Sequence, residues 1–84
     1  MIKFKLITPE KLILEGDANS ITCPGSLGEF GVLPSHAPLL TMLGSGRLQI
    51  NLEKEQKKFE IKNGFSEVLP DKVIILADKI ESEQ

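Results

Sequence analysis

Gly25, Gly28 and Gly31 stand three residues apart in a stretch that runs from Pro24 to Leu33, a spacing that invites comparison with loops that cradle phosphates. Such loops work because free backbone N–H groups at a helix N-terminus point at the anion, and they need G-x-G-x-x-G opening a helix or a closing Gly-Lys-Ser/Thr. Here Val32-Leu33-Pro34 follows, so no helix start receives a phosphate, and the glycines read as turn geometry. Ser35 and His36 carry hydroxyl and imidazole side by side. Neighbours on an extended chain point to opposite sides, and no carboxylate lies nearby in sequence to orient the ring, so proton relay between them is not expected. As the only histidine, His36 is one ligand where zinc takes three or four.

Cys23 is the only cysteine, which excludes an internal disulfide and fits a reducing compartment. It falls in an apolar run before Pro24 with no neighbour that would lower its pKa, so it reads as a small buried hydrophobe. Glu53, Glu55 and Glu60 are interleaved with Lys54, Lys57 and Lys58, the pattern of a solvated mixed-charge surface. Nothing assembles a nucleophile, a base and an oxyanion stabiliser, and neither an enzyme activity nor a cofactor or metal site is expected.

The elements that carry these residues are short strands. Ile2, Phe4 and Leu6 alternate with Lys3 and Lys5, the period of two of a half-buried strand, and Pro9 blocks its continuation. Lys11 to Glu15 reads as a second strand, Gly16-Asp17 as a turn, and Ala18 to Cys23 as a third strand. Leu48, Ile50 and Leu52, then Phe59 and Ile61, alternate with polar residues and read as a hairpin through Glu53-Lys54-Glu55-Gln56. Asn63-Gly64 favours positive φ and is expected to reverse the chain into Phe65 to Leu69, with Pro70-Asp71 as the next turn. Val73 to Ala77 is apolar on both faces, and only Asp78 to Gln84 has helical character, in a stretch too short to be a stable helix alone. Turn signals roughly every 8–12 residues imply an all-β fold, a small sandwich or flattened barrel of about ten short strands.

The chain has 84 residues and fits one domain, spanning 1–84. Hydrophobic residues make up 40% and charged residues 26%, ordinary globular composition. Ten basic against twelve acidic side chains, with no cluster beyond Lys57-Lys58, argue against nucleic acid as a partner. No apolar run reaches about 18 residues and no charged-then-apolar leader is present, so membrane association is expected only through a complex. The absence of an Arg- and Ser-rich leader points to a bacterial protein on the cytoplasmic face of the membrane.

The stretch Pro24-Gly25-Ser26-Leu27-Gly28-Glu29-Phe30-Gly31-Val32-Leu33-Pro34-Ser35-His36-Ala37-Pro38-Leu39-Leu40-Thr41 resembles the signature G-x-x-G-[DE]-[FL]-G-[IV]-x-P-x-H-A-P-L-[LV] of the epsilon subunit of the F-type rotary ATP synthase. Thr8-Pro9-Glu10, Asn63 to Val68 and Val73 to Asp78 fall in the family's order and spacing, so the resemblance covers essentially the whole chain. It implies a β-sandwich that joins the rotor shaft, the gamma subunit, to the membrane ring of c subunits, with no small-molecule substrate. By the same resemblance Glu29 faces the c ring on a turn shaped by Gly28, Phe30 and Gly31. Thr8, Pro34, His36, Leu39, Leu40 and Met42 belong to the gamma contact. The family's C-terminal helical hairpin, which restrains ATP hydrolysis and in some members binds ATP, is expected to be absent from a chain that stops at Gln84.

A stable contact buries on the order of 1,200–2,000 Å², so a domain this small that grips two neighbours is expected to leave an apolar edge open around Val32, Leu33, Leu39, Leu40 or Met42. Other small β-domains remain as alternatives. A lipoyl- or biotinyl-type carrier would need a modified lysine in a tight hairpin, and Lys54 stands in one, but between Glu53 and Glu55 rather than between Met or Ala residues. A generic protein-interaction β-domain is the other.

Overall fold

The computed structural model describes residues 1–25, 28–32 and 39–83, and those residues form eight strands and no helix. They are β1 (Ile2–Ile7), β2 (Leu12–Ala18), β3 (Ser20–Gly25), β4 (Gly28–Val32), β5 (Leu39–Leu43), β6 (Gly46–Asn51), β7 (Gln56–Leu69) and β8 (Lys72–Glu83). The alternation in β1 does what its period requires: Ile2, Phe4 and Leu6 are buried while Lys3 and Lys5 are exposed. In β6 and the first half of β7, Leu48, Ile50, Phe59 and Ile61 are buried in the same core. The expected hairpin joins them, closed by the N–H of Leu52 donating to the carbonyl of Glu55 at 2.8 Å.

The two long strands make the architecture. β7 and β8 stay in one antiparallel register from Lys58 opposite Glu83 to Leu69 opposite Lys72. On its other flank β7 changes partner: Gln56 to Ile61 pair with β6, whereas Gly64 to Val68 pair with β5. The N-terminal half of β8 pairs in parallel with β1, and β1 in turn pairs with β2. One layer is therefore β2, β1, the first half of β8, the second half of β7, and β5. The other is the second half of β8, the first half of β7, β6, β3 and β4. With β7 and β8 counted in both layers, the eight elements make ten strand segments. This is the all-β sandwich expected from the turn spacing.

The crossing lies at Asn63-Gly64. Asn63 has φ 45°, and the buried positions of β7 shift from odd (Phe59, Ile61) to even (Ser66, Val68) across it. β8 makes the same change, from Val73, Ile75 and Ala77 to the partly buried Ile80. A strand that moves between packed layers must change the side that faces the core, and a local irregularity supplies the extra half-turn. Gly64 is required there, since a Cβ on it would land on the carbonyl oxygen of Leu76 and within 2.8 Å of the Ala77 Cα.

Three expectations are corrected. Asn63-Gly64 bends a continuous strand rather than reversing the chain, because β5 and β6 offer partners on both sides of the corner. Asp78 to Glu83 is strand, not helix: six residues are too few for a stable isolated helix, while β7 offers a ladder in which Ile80 pairs with Ile61. Gly16-Asp17 lies within β2, paired with Phe4 and Lys3, and the break comes at Asn19, whose N–H donates to the Asn51 carbonyl at 2.7 Å.

Ser66 is fully buried in the ladder between Thr41 and Ile75, and its hydroxyl has no hydrogen-bond partner among the described residues. A buried unpaired hydroxyl costs about 1–3 kcal/mol. Ser66→Ala is expected to raise the midpoint of thermal unfolding by about 4–8 °C, the shift that about 1 kcal/mol makes in a domain of this size. A lower midpoint in a circular-dichroism melt would show that the hydroxyl is bonded in solution.

Candidate interaction face

The outward side of the first layer carries the exposed apolar residues. Leu43 of β5 and Ser66 and Val68 of β7 point inward, so Leu40, Met42, Phe65 and Glu67 point out. Strand register then builds a row, because residues paired across strands share a face. Met42 stands opposite Phe65, Phe65 opposite Leu76, Leu76 beside Ile7, and Ile7 opposite Leu12. At about 4.8 Å between strands the row crosses five of them over about 19 Å. Met42 is 65% exposed, Phe65 40% and Leu12 47%, while Leu76 and Ile7 are half-buried. A second row holds Leu40, 70% exposed, then Glu67, Ile74, Lys5 and Glu15.

The outer side of the second layer is different in kind. There Thr22 stands opposite Gln49 and Ser20 opposite Asn51, with Lys58, Gln56 and the Arg47–Glu60 pairing beyond them. Asn51 Nδ2 donates to Ser20 Oγ at 2.7 Å, and Gln49 Nε2 donates to Asn51 Oδ1 at 3.1 Å. One face of the sandwich is thus polar, with Asn51 and Gln49 hydrogen-bonded on it, and the other carries an open apolar row beside charged residues.

Glu29 lies in β4, next to the strand's first residue, Gly28. Gly28 has φ 129°, a conformation that favours glycine, and it pairs with Gly25 at the last rung of the β3–β4 ladder. Gly25 also pairs with Leu43 of β5, and the N–H of Gly44 donates to the Pro24 carbonyl at 2.8 Å. Glu29 is exposed and stands opposite Pro24. Gly31 pairs with Thr22 and has open space where a Cβ would stand. Thr8 flanks the far end of the apolar row. Its Oγ1 accepts from the N–H groups of Glu10 and Lys11 and donates to the Lys11 carbonyl at 3.3 Å, closing the β1–β2 turn.

Leu40 and Met42 lie on β5, Glu29 on β4 two strands away beyond β3, and Thr8 at the other end of the row beyond β7, β8 and β1. Pro34 and His36 lie outside the described residues, as does Leu33. The side chains of Phe30, Val32 and Leu39 are likewise outside the description, although their backbones lie in β4 and β5. Reading the sequence did not find Phe65, Leu76, Ile7 or Leu12 as members of one face. The available signal was Val73 to Ala77, apolar at every position, whose outward residues needed a cover of their own.

Among the described residues no group of three His, Cys, Asp or Glu side chains is placed to hold a metal ion. Cys23 is fully buried, and burial pushes its thiol from 9.0 up to about 12. The unfolded thiol loses its proton near 9 and the folded one near 12, so the native state holds the extra proton between those values. Stability is unaffected by this group below about pH 9 and falls as pH rises towards 12, by up to about 4 kcal/mol. Iodoacetamide at pH 8 is expected to leave Cys23 unmodified in the native domain and to label it in denaturant. Rapid native labelling, followed by intact mass, would contradict that burial.

The family model for the ATP synthase delta/epsilon chain β-sandwich domain matches residues 1–83. The chain belongs to this family. Among curated delta/epsilon relatives, an ATP synthase epsilon chain of Koribacter versatilis is 44% identical over 79 residues, covering 94% of this chain and 56% of the relative. The ATP synthase epsilon chain of Chloroflexus aurantiacus is 44% identical over 80 residues, 95% of this chain and 58% of the relative. The delta/epsilon sandwich described here thus spans less than two thirds of these relatives. Among solved structures it is similar to a chain in the Euglena gracilis mitochondrial ATP synthase, OSCP/F1/c-ring in rotational state 1. That match has a TM-score of 0.90 at 26% identity and covers 96% of this chain and 52% of the other. The fold also matches a chain of the Tetrahymena thermophila mitochondrial ATP synthase central stalk/c-ring, with a TM-score of 0.80 at 19% identity over 94% of this chain and 64% of that one.

Proposed function

We propose that this domain is a non-catalytic rotor element of a bacterial proton-translocating ATP synthase that couples ion flow to ATP synthesis by linking the gamma shaft to the c ring. The observation that carries the reading is the one-sided apolar face, with Leu40, Met42, Phe65 and Leu12 open to solvent on one layer while the opposite layer is polar. Exposed apolar area of this kind marks a surface that a partner covers. Family membership and the likeness to a chain of a c-ring assembly support partners within the ATP synthase rotor. A sandwich packed to crystal-like density is stiff, which a part that transmits torque needs.

In this reading gamma covers Leu40, Met42 and their neighbours, while Glu29 on the Gly28 turn meets the polar loops of the c ring. Thr8, Leu39, Pro34 and His36 belong to the gamma side. Such a complex sits on the cytoplasmic face of the plasma membrane, in keeping with the bacterial relatives. No cofactor takes part.

The two contacts are separable. Glu29→Lys is expected to weaken binding to c rings in detergent or nanodiscs by about tenfold, with affinity for gamma changed less than about twofold. Equal loss at both partners would defeat the division of labour.

A further inference from the structure

Beyond the apolar row, the same outer face holds an open groove of about 410 Å³ at the start of β1 and β8, lined by Ile74 together with Lys3, Lys5 and Lys72. Register sets the charges. Lys5 stands opposite Glu15 and Lys3 opposite Asp17, so each has one acidic cross-strand neighbour. On its other side Lys3 lies beside Lys72, whose β7 neighbour is Leu69. Two ammonium groups side by side are unfavourable. Lys72 has no acidic cross-strand neighbour, and it makes no ion pair among the described residues. The residues that line the groove therefore carry three lysines against two carboxylates, with Glu67 the next carboxylate, opposite Ile74 on β7. Ile74 also belongs to the second row, between Glu67 and Lys5, which makes the groove continuous with the docking face.

We propose that the polypeptide covering this face seats one acidic side chain in the groove, its aliphatic stem on Ile74 and its carboxylate between Lys3 and Lys72. A single carboxylate matches the one lysine in excess among the lining residues, and a long-stemmed acid matches an apolar side chain beside lysines. A free phosphate dianion fits less well, because Glu15 and Asp17 line the same groove and repel it. The inference rests on the docking reading above and adds the chemistry that orients the partner on it. Apolar contact fixes that a partner binds, and a charge at one end of the face fixes which way round.

The test uses the full chain and the gamma subunit of the same organism. Zero-length carbodiimide coupling of the complex, followed by peptide mass spectrometry, is expected to join Lys72 or Lys3 to an Asp or Glu of gamma. In parallel, Lys72→Glu and the milder Lys72→Gln are titrated against gamma at low and high salt, with Lys62→Glu as a control at the corner. Lys72→Glu is expected to raise Kd about tenfold at low salt, with the difference shrinking towards about twofold at 0.5 M salt. Lys72→Gln should fall between it and wild type, and Lys62→Glu should change little. If both Lys72 variants bind like wild type and no such cross-link forms, while Leu40→Asp loses gamma, the groove inference fails and the docking reading stands. If Leu40→Asp also binds like wild type, the docking reading itself fails and the inference falls with it.

Discussion

Replacing Leu40 and Met42 together by aspartate is expected to weaken binding to gamma by about a hundredfold or more, while the melting temperature stays within about 5 °C of wild type. The two side chains are 70% and 65% exposed, so the isolated domain loses little packing when they change. Their cross-strand neighbours, Glu67 opposite Leu40 and Phe65 opposite Met42, keep the ladder to β7 intact. In a complex that covers the row the same change removes two apolar contacts and leaves two charges without water or partners. A buried unpaired charge of this kind costs several kcal/mol, and about 2.8 kcal/mol already makes the hundredfold. The separation of effects is what matters: binding falls and folding does not. A variant that binds gamma as wild type does would remove the open face from the mechanism. A matched change on the polar layer, Gln49→Asp, should alter gamma affinity less than about threefold.

Gly64→Ala is expected to have the largest effect on folding. The new methyl group would collide with the backbone of Leu76 and Ala77, which neither rotates nor retreats without parting β7 from β8 at the corner. Overpacking usually costs about 1–3 kcal/mol, and against fixed backbone the upper value is the floor. A domain of 84 residues holds roughly 4–13 kcal/mol in all. Urea unfolding should therefore show at least about 3 kcal/mol lost, or no folded baseline. Gly31→Ala is the comparison, since open space surrounds that position, and its stability should stay within about 1 kcal/mol of wild type. If the two alanines behave alike, the corner does not depend on a bare backbone at Gly64.

These two cases also mark where reading the sequence succeeds and where it stops. Period-two alternation at Ile2 to Leu6 and at Leu48 to Ile61 is a local signal, and it put the right residues in the core. The Glu53 to Gln56 turn was legible for the same reason. Asn63-Gly64 was legible as a place needing positive φ, and Asn63 has it. Whether such a site reverses the chain or bends it depends on which strands lie alongside, and β5 is a distant partner of the second half of β7 that no window of sequence shows. Asp78 to Glu83 went wrong for a related reason, because its strand is imposed by β7 rather than by its own propensities.

The candidate face was half legible. Leu40 and Met42 stood out as apolar residues in a turn-rich stretch, and both are exposed. Phe65, Leu76, Ile7 and Leu12 did not stand out, because alternation tells which residues share a side of one strand and not which strands share a layer. Only the register across β5, β7, β8, β1 and β2 assembles them into a row. Thr8 shows the reverse: the resemblance assigned it to a contact, and its hydroxyl is already engaged in closing the turn beside that row.

The domain's role as a bridge is tested most directly by sedimenting c-ring proteoliposomes with purified gamma, in the presence and absence of the domain. The domain is expected to raise the fraction of gamma carried down with the vesicles, to saturate at one domain per gamma, and to lose that effect in the Leu40→Asp, Met42→Asp variant. If wild-type domain leaves the sedimented gamma unchanged at saturating concentration, it does not join the shaft to the ring.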